Sequence, residues 1–110
     1  MKAYQYTLLD VQKSIVLAQR KSVDFPQPIR ITNRMRSLLL QQVADLYATK
    51  HGSDSVCYSL ASAVLRKGVA RLATGCGITD TTYVSTLTGI FVDQLKIGVQ
   101  NQTDTYNLWA

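Results

Sequence analysis

The sequence predicts a mainly α-helical domain carrying one short β-strand. Apolar residues recur at helical spacing along four segments, and a single alternating stretch, "PIRIT" at residues 28–32, interrupts them. Prolines and glycines stand where these segments meet, in "VDFPQP", "HGSDS" and "TGCG". At 110 residues the chain is read as one domain, 1–110, long enough to bury a moderate core.

The first helix is placed at about Leu8 to Lys21. Thr7 and Asp10 have the spacing of a reciprocal N-terminal cap, and Leu8, Val11, Ile15 and Ala18 share one face. Pro26 and Pro28 prevent its continuation, so residues 1–27 form an N-terminal helix and linker. In "PIRIT", Ile29 and Ile31 would face a core while Arg30 and Thr32 face outward. Pro28 fits only the start or edge of such a strand. Asn33 is then the N-cap of a second helix over about 33–50, with Met35, Leu39, Val43, Leu46 and Tyr47 inward. Gly52 ends it, with Lys50 and His51 in its last turn. Ser53, Asp54 and Ser55 each offer a cap for a third helix, about 54–73, burying Leu60, Ala61, Val64, Leu65, Val69 and Leu72. Ser59, Ser62 and Arg66 fall on its polar side. A fourth helix, 79–98, opens at Thr79 or Asp80 and carries Val84, Leu87, Phe91 and Leu95 on one face. The polar tail "QNQTDTYNLWA" is read as fraying unless Trp109 docks.

Strand, helix, Gly/Ser turn and helix over residues 28–73 resemble the ribbon-helix-helix DNA-binding family. The resemblance is carried by "PIRIT", "NRMRSLLLQQVADLYA", "HGSDS" and "SAVLRKGVARL", with an extra helix on each side. It implies an obligate homodimer or higher homo-oligomer, because a lone strand needs a partner for its backbone groups. Two paired strands would place Arg30 and Thr32 in the major groove of double-stranded DNA as base contacts. Asn33, Arg34 and Arg36, on the first helical turn, would reach phosphates, as would Ser53 and Ser55 at the start of the next helix. Asp54 departs from that pattern, since a carboxylate there opposes a phosphate.

The charge distribution points the same way. Residues 1–36 hold seven Lys/Arg against two Asp; residues 79–110 hold one Lys against three Asp. Arg20, Lys21, Arg30, Arg34 and Arg36 make up most of the excess, with Asp24 alone among them. A polyanion is the natural partner of such a cluster, and a transcriptional regulator or plasmid- or phage-type accessory protein the reading that follows. The alternative is a helical-bundle interaction or assembly protein whose basic cluster meets an acidic partner; sequence-independent nucleic-acid packaging is a third.

Enzyme chemistry finds little support. Glutamate is absent, and His51 is the one histidine, beside a helix-ending glycine. Cys76 has no second histidine to activate it, and "GCG" lacks the phosphate-loop frame. No catalytic residue, metal ligand set or cofactor is assigned. Cys57 and Cys76 match no zinc or redox motif and are read as free thiols. No apolar run has the roughly 20 residues of a membrane span, and a soluble cytoplasmic protein is expected.

Overall fold

The computed structural model describes residues 5–22, 30–51 and 55–109. Its elements are α1 (Leu8–Ser22), α2 (Asn33–Leu46), a π-helical turn (Tyr47–His51), α3 (Tyr58–Cys76) and α4 (Thr81–Trp109). α1 packs on α2 and α4, and α3 packs on the same two helices, so the four enclose one core.

Capping residues set the helix starts. Thr7 N–H donates to Asp10 Oδ2 (2.9 Å) and Asp10 N–H to Thr7 Oγ1 (3.2 Å), the reciprocal cap predicted from their spacing. Asp80 Oδ1 accepts from the backbone of Thr82 and Tyr83, so α4 starts at Thr81. For α2 the cap is Thr32 rather than Asn33: Met35 N–H donates to Thr32 Oγ1 (3.1 Å) and Asn33 is the first helical residue. α3 differs more. It starts at Tyr58, after Cys57 with no side-chain cap, so Ser55 lies ahead of the helix; Ser53 and Asp54 lie outside the described residues. The chain is held extended there because Val56 and Tyr6 exchange two backbone hydrogen bonds, at 2.7 and 2.9 Å. α3 also runs past the predicted stop at Ala73, through Gly75, until Gly77 takes a left-handed φ of 70°. Ile78 N–H then closes the helix end on Ala73 C=O (2.8 Å). α4 continues over the segment read as a frayed tail, to Trp109.

Residues 30–32 do not form the expected strand. Among the described residues there is no β-strand, only the isolated bridge between Tyr6 and Val56. Arg30, Ile31 and Thr32 are irregular; Pro28 and Ile29 lie outside the described residues. A ribbon-helix-helix core requires that strand, so the predicted fold class is corrected to an all-helical one. The physical reason is local. Ile31 is buried, as the alternation predicted, but its backbone is satisfied by α1: its N–H donates to Ser22 Oγ (3.2 Å) and its C=O accepts from Gln19 Nε2 (3.3 Å). Side chains of the same chain supply what a second strand was invoked to supply.

The core contains Val11, Ile15 and Ala18 of α1, Leu39, Val43 and Leu46 of α2, Leu65, Val69 and Leu72 of α3, and Leu87, Phe91 and Leu95 of α4. Two α3 assignments change: Leu60 is 46% exposed, while Ser62 is buried. Packing against two neighbours widens the buried stripe of α3 beyond one simple face, drawing in Ser62 and Gly68. Both cysteines are free. They stand at opposite ends of α3, about 28 Å apart at a helical rise of 1.5 Å per residue, far beyond disulfide reach.

Candidate nucleic-acid interface

The basic residues converge where α1 ends and α2 begins. Gln19, in the last turn of α1, joins the two: its Nε2 donates to Asn33 Oδ1 (2.7 Å) and to Ile31 C=O (3.3 Å). Ser22 adds a second tie, with its hydroxyl donating to Gln19 C=O (2.7 Å) while accepting from Ile31 N–H. Arg20 and Lys21 follow Gln19 directly, and Arg30 and Arg34 flank Ile31 and Asn33. These four cations are exposed, each next in sequence to a residue of the Gln19–Ser22–Ile31–Asn33 ties or one removed from it. Among the described residues no carboxylate pairs with them. Asp24 is the single aspartate in the interval 19–36, and it lies outside the described residues.

The predicted site residues fare differently. Arg30 is exposed, on an irregular segment. Thr32 is exposed, and its hydroxyl oxygen accepts from Met35 N–H as the α2 cap, which fixes the side chain against the first turn. Asn33 Oδ1 is held by Gln19, so Asn33 organises the site. Arg34 faces solvent in the first turn of α2. Arg36 lies two residues on, about 200° around the helix, and is half-buried; it does not share a surface with Arg34. Ser55 is exposed beside the Tyr6–Val56 bridge and not at a helix N-terminus, which removes the reason for its assignment as a phosphate contact. Ser53 lies outside the described residues.

Two contributors were not singled out by sequence reasoning: Gln19 and Ser22. A polar residue at the end of an amphipathic helix has no periodicity to mark it, and a bond spanning twelve residues leaves no local trace.

Among the described residues no group of His, Cys, Asp or Glu is placed to hold a metal ion, and no helix is long and apolar enough to cross a membrane. Comparison with protein-family models, with curated proteins and with solved structures finds no match.

Proposed function

We propose that this chain is a small helical protein that binds double-stranded DNA through its phosphates, without reading base edges. The observation that carries this reading is the grouping of Arg20, Lys21, Arg30 and Arg34 by the Gln19 and Ser22 hydrogen bonds, with no described carboxylate among them. Tying the end of one helix to the approach of the next gives the four cations a common base, which raises local positive potential and lowers the ordering needed on contact. Phosphates accept from guanidinium and ammonium groups alike, so such a cluster discriminates weakly among sequences. No strand enters the major groove in this reading, and Thr32 stays on its cap.

Fluorescence anisotropy with two duplexes of unrelated sequence, across a salt series, tests it. Both duplexes should bind equally, with a log–log salt slope no steeper than about −3.6 if all four cations meet phosphates. Arg30→Ala and Arg34→Ala should each weaken both duplexes alike and flatten the slope by about 0.9. No binding at low salt, or a marked preference for one duplex lost in Arg30→Ala, would sink the proposal.

A further inference from the structure

α1 is apolar on two opposite faces. Val11, Ile15 and Ala18 enter the core, whereas Leu9 and, two turns on, Val16 and Leu17 lie on the far side. Leu9 is 57% exposed and Leu17 38%. With Gln12, Lys13 and Arg20 of α1 and Leu40 of α2, they line a shallow groove of about 520 Å³. Lys13 and Arg20 are its charged lining residues, and none is acidic.

We infer that this groove docks an acidic amphipathic helix of a partner protein. An aliphatic floor with cations along its edge is complementary to a helix bearing leucine-type anchors on one face and carboxylates beside them. From Leu9 to Arg20 the groove runs about 17 Å, which matches roughly three turns of a partner helix. Lys13 and Arg20, seven residues apart, lie two turns apart on one side, and carboxylates at the same interval on the partner would meet both. Two competing occupants fit less well. A duplex offers no apolar group to Leu9, Val16 and Leu17. A lipid surface favours protruding aromatic anchors, and the groove lining holds none. The inference is independent of the phosphate-binding reading except at Arg20, which borders both surfaces.

The test uses the full chain and a labelled synthetic peptide of about three turns, with leucines at heptad-type spacing and glutamates flanking them. A control peptide carries lysine for each glutamate. The acidic peptide should bind and the basic one should not, with amide NMR shifts concentrated at Leu9, Lys13, Val16, Leu17 and Leu40. Lys13→Glu should weaken acidic-peptide binding by about tenfold, and Leu17→Asp should weaken it further. Both positions are exposed, so the fold should persist, as circular dichroism would verify. Duplex binding should be little changed in Lys13→Glu, and peptide binding little changed in Arg34→Ala, which separates failure of one reading from failure of the other. Equal binding of the two peptides, or shifts away from α1 and α2, would overturn the inference. So would vesicles of phosphatidylglycerol and phosphatidylcholine competing the peptide off, or self-association that Leu9→Asp abolishes, each of which assigns the groove to another occupant.

Discussion

Single residues already separate stabilising from costly features. The Ser62 hydroxyl is buried with no hydrogen-bond partner, and an unsatisfied buried polar group costs about 1–3 kcal/mol. Ser62→Ala should therefore raise stability by about 1 kcal/mol, seen as a higher urea midpoint at unchanged slope. Thr32→Ala should do the reverse, by about 1 kcal/mol, because Met35 N–H loses its acceptor. Tyr47 sets an alkaline limit. Burial, with a smaller contribution from the Asp10 carboxylate, pushes its phenol from the ordinary 10.0 up to about 12. The folded state thus holds the neutral phenol more tightly than the unfolded chain does. That contribution is complete below pH 10 and is lost as pH rises towards 12, by up to roughly 3 kcal/mol. Unfolding measured on both sides of that window, in the protein and in Tyr47→Phe, checks it: the variant should lack this part of the alkaline loss.

At the scale of elements, the glycines report how closely helices approach. A Cβ built on Gly68 would stand 2.9 Å from Leu39 Cδ1 and 3.4 Å from Val43 Cγ1, both fully buried side chains of α2. At Gly68 α3 passes close to α2, and no left-handed backbone requires the glycine. Gly89, in α4, would meet nothing within 4 Å. Replacing either by alanine gains about 1 kcal/mol of helix propensity. At Gly68 that gain is outweighed by overpacking of about 1–3 kcal/mol, so Gly68→Ala should destabilise while Gly89→Ala stabilises. Thermal unfolding of the two variants side by side decides the matter; equal gains would mean the α2–α3 contact yields freely.

On the scale of the whole molecule, the core depends on all four helices. Phe91 is fully buried in α4, which packs on both α1 and α3, and Phe91→Ala should destabilise by about 3–5 kcal/mol. A chain lacking residues 79–110 should for the same reason lose its cooperative transition, since α1 and α3 would both be exposed on one side. The segment at Arg30–Thr32 no longer demands a second chain, because Ile31 is hydrogen-bonded at both backbone groups to α1. Helix content should accordingly stay constant on dilution. A fall in helicity with decreasing concentration would bring the requirement for a partner copy back.

What the sequence determined by itself were the features written in neighbouring residues. The Thr7–Asp10 cap, the stripes through Val11 and Ile15, through Leu39 and Val43, and through Leu87 and Phe91, and the inward Ile31 all follow from spacing within a few residues. So did the concentration of charge before residue 37. The tertiary structure decided what happens around Ile31. Alternation over five residues describes a strand and an extended linker equally well, because both turn successive side chains to opposite sides. Only the location of hydrogen-bond partners distinguishes them, and those partners, Gln19 and Ser22, belong to another helix. The same holds for α3: its burial pattern depends on contact with both α2 and α4, which no period within one helix reveals. Local chemistry chose the helices; long-range hydrogen bonding chose how Ile31, at the approach to α2, is held against α1.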